Sequence, residues 1–365
     1  MIILFYPDKD STMYENYIDA NSGTDASLEI SHVNIDNELS VSRTLIDFSA
    51  SINEIKLNVD SGVFPGNYTC SLQLYSSLTQ EIPIRYSIEC YPVYESWDMG
   101  TGRISDSPKI KNGVSWKYRD GSSNATTWSV DNLPTNVTCS YFDSVGGANW
   151  YFIETGSLLT EQIYNYNSSD INLDITYTVD KWLSGSINNN GLILKRTLQS
   201  ETSDEYQGKL SFFSLESNTI YPPVLKFKYD DSVFVTGSLN PIPTDKDIIV
   251  YPINKKKYRN GEIDKVYVKS RLKYPSRTFT TQSGYTNDYY MPSSSYYQIS
   301  DYITDDVIID FDTSNTKISC DENGNYFYLR TDNFMLNRFY KISILVDYND
   351  EDLIYDNEFI FKVVK

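Results

Sequence analysis

The stretch Ile171 to Asp231, INLDITYTVDKWLSGSINNNGLILKRTLQSETSDEYQGKLSFFSLESNTIYPPVLKFKYDD, decides how the rest of the chain is read. Ile171, Leu173, Ile175, Tyr177 and Val179 share one side of a period-two pattern whose other side carries Asn172, Asp174, Thr176 and Thr178, which predicts a half-buried strand. A short helical turn is expected at Val179 to Leu183, with Trp182 turned inward beneath a Gly- and Asn-rich turn. Gly191-Leu-Ile-Leu-Lys195 then resumes as a buried strand. Lys209 to Ser214, a Pro-Pro kink at Ile220 to Pro223 and the alternating Leu225, Phe227 and Tyr229 complete the unit. Two prolines are tolerated at a strand start because that residue need not donate to the ladder.

Composition extends this reading to the whole chain. With 32 Tyr, 16 Phe and abundant Ser, Thr, Ile, Val and Asn, the 365 residues favour short strands joined by turns, so the predicted class is all-β. That length exceeds what one core usually fills, and two domains are expected. Thirty-one basic against 49 acidic side chains give a net charge of −18, which argues against wrapping nucleic acid, whose phosphates need cations. Met1-Ile-Ile-Leu-Phe5 is too short for a signal peptide's apolar region, and no membrane-inserting span is read.

Taken in order, Ile2 to Phe5 reads as a strand and Leu28 and Ile30 belong to the next. Thr44, Ile46 and Phe48 face one way and Arg43, Leu45 and Asp47 the other, a sandwich strand with Arg43 able to meet a carboxylate at its rim. Tyr68 to Tyr75 follows a Pro65-Gly66-Asn67 turn, and Ile84, Tyr86, Ile88 and Cys90 form the clearest alternation. Residues 98–150, dense in Gly, Ser, Asn and Asp, read as a loop-rich insertion making contacts or carrying function. The proline-rich, uncharged join Thr236 to Thr244 marks the expected boundary, giving domains 1–238 and 245–365. The second has about six strands in about 120 residues, the rhythm of an immunoglobulin-like sandwich.

The stretch at 171–231, with Tyr6-Pro-Asp-Lys-Asp-Ser-Thr-Met-Tyr14, Ser42-Arg43-Thr-Leu45-Ile-Asp-Phe48 and Glu95-Ser-Trp97-Asp-Met-Gly100 in that order, resembles the DNRLRE family of jelly-roll β-sandwich domains. With Gly113-Val-Ser-Trp116-Lys-Tyr118 and the Tyr-rich C-terminal part, the chain resembles virion structural proteins of tailed bacteriophages, of the crAss-like and cyanophage-like groups. The resemblance implies an N-terminal jelly-roll-like sandwich followed by an immunoglobulin-like one. It also implies a neck, tail, ring or collar role, assembly in the host bacterial cytoplasm, and contacts with other virion proteins and with copies of itself.

Catalysis finds little footing. His32 is the sole histidine and no nucleophile elbow accompanies it, so it reads as a surface or strand-end residue. No Walker motif, zinc-protease motif, EF-hand loop or dinucleotide fingerprint occurs, and no cofactor is expected. Cys70, Cys90, Cys139 and Cys320 lack metal spacing and read as buried free thiols. Acidic loops at Asp8, Asp10, Asp230 and Asp231 could gather calcium, though repulsion relieved by solvent is favoured. Carboxylates such as Asp98, Asp120, Glu154 and Glu161 could serve a glycoside hydrolase, the third-ranked reading. Ahead of it stands a glycan-binding accessory module with Trp116, Tyr118 and Trp128 as stacking residues. The first reading, a non-enzymatic structural protein, points to subunit contacts through the basic run Lys255, Lys256, Lys257 and Arg259 and the tyrosine loop with Tyr289, Tyr290, Tyr296 and Tyr297.

Overall fold

Glu38–Asp47 is the strand around which the first unit is assembled in the computed structural model, which describes residues 1–35, 38–139, 146–152, 159–166, 170–243, 247–275, 288–348, 351–356 and 359–365. Its even- and odd-numbered side chains are both buried from Ser40 to Asp47. This is the signature of a central strand covered on both faces. It lies in an antiparallel eight-stranded sheet ordered Thr160–Asn165, Arg85–Pro92, Leu192–Arg196, Glu38–Asp47, Ser27–Ile35, Gly208–Phe213 and Ser76–Gln80, with Lys9–Tyr14 also pairing on Glu38–Asp47. A second sheet holds Val224–Lys228, Thr69–Leu74 and Ile171–Asp174 in that order. The unit is a jelly-roll-like β-sandwich.

Among the described residues of this unit, the two helices with eight or more residues come from segments with unlike signals. Ser49–Asp60 is a 12-residue helix that buries Ile52 and Ile55. The predicted strand at Ile171 to Val179 is cut short, because the Asp174 carboxylate accepts from the Thr176 N–H (2.9 Å) and Oγ1 (2.6 Å) and turns the chain. Thr176–Leu183 is then helical, longer than the expected turn, and Trp182 is buried as anticipated.

The excursion after Trp97 is a covering layer. Register sets Ile193 opposite Leu45 and Tyr91, Lys195 opposite Glu89, and Met13 opposite Arg43, so one face of the large sheet collects these side chains. On it Met13, Val41, Leu45, Val93 and Ile193 pack with Trp97, Val114, Trp116, Trp128, Ala148 and Trp150 in one apolar cluster. Asn21, fully buried, fastens the layer. Its Nδ2 donates to Met99 O (2.7 Å) and Val114 O (2.8 Å), and its Oδ1 accepts from Gly102 N (2.7 Å) and Gly23 N (3.2 Å). Gly146 has φ +95° and no room for a side chain, since a Cβ there would stand 1.9 Å from Trp116 O.

The chain divides into compact units Phe5–Phe227 and Met1–Leu4 with Lys228–Lys365, so the division falls upstream of the expected join. The reason is hydrogen bonding. Val235 N donates to Cys320 O and Cys320 N to Val233 O, both at 2.9 Å, and Asn240–Pro241 pairs with Tyr289–Tyr290. Residues 233–243 therefore belong to the second unit; Thr244 lies outside the described residues. Met1–Leu4 belongs there too, because Leu4 N donates to Asn333 Oδ1 (3.0 Å) and Asn333 Nδ2 to Ile2 O (3.2 Å).

The second unit is an immunoglobulin-like sandwich with more strands than the six expected. One sheet runs Ile248–Ile253, Ile263–Leu272, Gly324–Arg330 and Ser319–Asp321; the other runs Lys257–Arg259, Ile360–Val364, Phe339–Tyr348, Ser295–Asp301 and Val307–Ile309, with Glu351–Tyr355 also on Phe339–Tyr348. Tyr297 from the second sheet stacks on Phe327 from the first at 4.4 Å, joining the two across the core.

Candidate functional site

The first unit holds a cleft of about 200 Å³ above the odd-numbered face of its central strands, lined by Arg43, Glu89, Tyr91, Thr138, Trp150, Phe152, Lys195, Leu198 and Glu201. Its floor is an internal ion lattice. Arg43 Nε and Nη2 meet Glu201 Oε1 and Oε2 at 3.0 and 2.7 Å, and Nη1 donates to Gly147 O at 2.6 Å. Lys195 Nζ donates to Glu89 Oε2 (3.0 Å) and Arg196 O (2.6 Å) and stands 3.6 Å from Glu201 Oε2. Arg43 lies over the rings of Trp116 (4.9 Å) and Trp150 (5.3 Å). Two cations and two carboxylates thus cancel in a low-dielectric place where an unpaired charge is costly.

The sequence expected Arg43 to find a carboxylate at a rim. It finds one in the interior, at 1% exposure. Glu201, Lys195 and Glu89 carry no local pattern in the sequence that points to the lattice. Lys195 and Glu89 lie on strands whose alternation is visible in the sequence, but their meeting depends on the pairing of Leu192–Arg196 with Arg85–Pro92, which local periodicity does not carry.

The proposed sugar platforms are corrected. Trp116 and Trp128 are each 3% exposed, and Trp128 Nε1 donates to Ser115 O, so both rings are core and neither can stack on a sugar. Tyr118 is half-buried in the strand Tyr118–Asp120. His32 is also corrected, being buried inside the strand Ser27–Ile35 rather than at a surface or strand end. Burial first and then Arg196 hold its pKa below the usual imidazole range.

The contact residues proposed for the second unit separate. Tyr297 is interior at 4% exposure, so it has no area to give a partner. Tyr289, Tyr290 and Tyr296 are half-buried and lie in strands rather than in a free loop, Tyr290 standing edge-on to Phe234 at 6.0 Å; positions 285–287 fall outside the described residues. Lys255, Lys256, Lys257 and Arg259 are on the surface, with Tyr258 buried between them. Lys255 is held by Glu262 (2.6 Å) and Asp264 (3.1 Å) of its own unit.

The acidic loops are locally occupied. Asp8 accepts from Ala50 N, Asp10 from Leu215 N, Asp230 from Ser232, and Asp231 takes the Met1 amino group. Among the described residues no group of three metal-ligating side chains occurs. Asp120 accepts from Ser122 N, Glu161 lies on the edge strand Thr160–Asn165, and Glu154 is outside the described residues. All four cysteines are free, with Cys70, Cys90 and Cys320 buried and Cys139 half-buried. No described helix is long and apolar enough to cross a membrane.

No family model and no curated protein matches the chain. A solved structure of a DUF4785 family protein from Legionella pneumophila is similar at TM-score 0.18 and 8% identity, over 100% of this chain. The chain spans 62% of that protein's length. A likeness at this level carries no argument.

Proposed function

We propose that the chain is a non-enzymatic structural component of a tailed bacteriophage virion, a ring, collar or tail protein that contacts copies of itself head to tail. The observation that carries this reading is the outer face of the six-stranded sheet in the second unit. Register sets Lys257 opposite Lys362 and Lys362 opposite Phe339, and Lys362 Nζ stands 5.1 Å from the centre of the Phe339 ring. The Tyr302 N–H donates to Phe339 O, and Tyr302, Ile303, Leu336 and Phe339 are all exposed, Ile303 at 77%. A soluble monomer seldom leaves aromatic and aliphatic side chains together in water without a partner.

Charge selects the partner. The first unit carries 14 basic and 28 acidic side chains and the second 17 and 21, so their nets are −14 and −4. A face of Lys256, Lys257, Arg259 and Lys362 around apolar residues complements the acidic first unit of another copy. Such a contact between unlike surfaces closes into a ring when its rotation permits. Particle-specific peptides give the test. Mass spectrometry of gradient-purified phage encoding this chain should find it in fixed stoichiometry with the other virion proteins; its absence from intact particles would overturn the proposal.

A further inference from the structure

We infer that Asn260-Gly261 is a self-modification site, at which the folded chain deamidates to aspartate and isoaspartate ahead of its three other Asn-Gly pairs. This goes beyond a particle role, and the chemistry does not depend on it. The sequence holds four such pairs, Asn112-Gly113, Asn190-Gly191, Asn260-Gly261 and Asn323-Gly324. Glycine after asparagine lets the following amide nitrogen reach the side-chain carbonyl, because no Cβ stands in the way. The fold decides which pair can use this freedom. Asn112 is held at both ends of its amide, Nδ2 donating to Thr101 Oγ1 (2.8 Å) and Oδ1 accepting from Thr101 N (3.0 Å). Asn190 Nδ2 donates to Tyr94 O (2.6 Å), and the Gly191 N–H donates to Asn189 Oδ1 (3.2 Å). Gly324 is a buried strand residue paired with Asp321.

Asn260-Gly261 is the pair left open. Both residues are exposed, at the turn between the strands Lys257–Arg259 and Ile263–Leu272. Among the described residues neither the Asn260 side chain nor the Gly261 N–H has a hydrogen-bond partner. Gly261 has φ +77°, and nothing lies within 4 Å of where a Cβ would stand. The Gly261 nitrogen attacks Asn260 Cγ; the N–Cγ bond forms, the Cγ–Nδ2 bond breaks, and ammonia leaves with the amide proton. Water then opens the cyclic imide, at Cγ to give aspartate or at the backbone carbonyl to give isoaspartate. The exposed cations Lys256, Lys257 and Arg259 just upstream favour the amide anion that attacks. Either product sets a carboxylate at the end of that basic run. Isoaspartate also lengthens the main chain by a methylene between Asn260 N, which donates to Val364 O (2.9 Å), and Glu262 N, which donates to Thr331 Oγ1 (2.8 Å).

The test follows the full folded chain in mildly alkaline buffer by peptide mass spectrometry, with labelling by isoaspartyl methyltransferase as the probe for isoaspartate. Asn260 should convert about tenfold faster than Asn112, Asn190 or Asn323, the ratio given by a barrier lower by about 1.4 kcal/mol. In urea the four pairs should convert at similar rates, because each then has a free side chain and a free glycine amide. Asn260→Gln, whose longer side chain closes a ring far more slowly, should remove most of the label and leave the melting temperature unchanged. No conversion at Asn260, conversion no faster than at the other three pairs in the folded chain, the same preference persisting in urea, or a full label in the Asn260→Gln variant would each overturn the inference.

Discussion

Arg43 and Glu201, 158 positions apart in the chain, meet at two points in the interior of the first unit, Nε to Oε1 at 3.0 Å and Nη2 to Oε2 at 2.7 Å. Neither side chain reaches solvent. The pair fastens the short helix Leu198–Glu201 to the central strand beneath the tryptophan layer. Removing one partner strands a charge, whereas removing both does not. Glu201→Gln or Arg43→Met should each cost about 3–5 kcal/mol in urea denaturation, and Arg43→Met with Glu201→Leu should recover much of the loss. A single variant within about 0.5 kcal/mol of wild type would mean that the pair contributes nothing to the fold.

Asp10 gives the molecule a pH dependence of opposite sign to that of an ordinary paired carboxylate. Burial first, then the neighbouring Glu216, pushes its pKa up to about 7 despite the hydrogen bond from Leu215 N. A folded-state value above the unfolded one adds stability below the unfolded value, near 4, and that stability is lost as pH rises through 7. Asp10→Asn keeps the acceptor and removes the charge. Its melting temperature relative to wild type should therefore rise between pH 4 and pH 8; a constant difference would show that Asp10 ionises normally.

The aromatic residues should divide by location. Trp116→Ala and Tyr297→Ala remove core rings and should each cost about 3–5 kcal/mol. Tyr289→Ala and Tyr290→Ala, half-buried, should cost about 1 kcal/mol. Equal losses in chemical denaturation would contradict this division.

Sequence showed what is periodic and missed what is distant. Tyr86, Ile88 and Cys90 are buried in alternation as read, because successive side chains of a strand point to opposite faces, whereas Ile84 of the same pattern precedes the strand Arg85–Pro92 and is exposed. The helix Ser49–Asp60 escaped notice because it has no side-chain cap at Phe48 and leaves Leu57 71% exposed, so its apolar stripe is short. Trp116 and Trp128 mislead because Gly and Asn around them read as open turns, whereas here Gly113 packs against the backbone of Gly100 and Gly146 against that of Trp116, and both rings are core. The lattice joining Arg43, Glu89, Lys195 and Glu201 depends on strand order, which no local pattern carries.

The N-terminal strand should matter to the far end of the chain. Asn333 is buried and holds the backbone of Ile2 and Leu4. Asn333→Ala should cost about 1–3 kcal/mol by leaving these groups unmet. The loss should appear in hydrogen exchange of Phe339–Tyr348 and leave Arg85–Pro92 unchanged. Equal loosening of both strands would contradict the division at Phe227.

The central claim is that the second unit's basic and apolar face is a contact between copies of the chain in a particle. A cryo-electron microscopy map of the intact virion tests it most directly. The account predicts Ile303, Phe339, Lys257 and Lys362 buried against the acidic first unit of a neighbouring copy. A map in which this chain is present with that face open to solvent would contradict it.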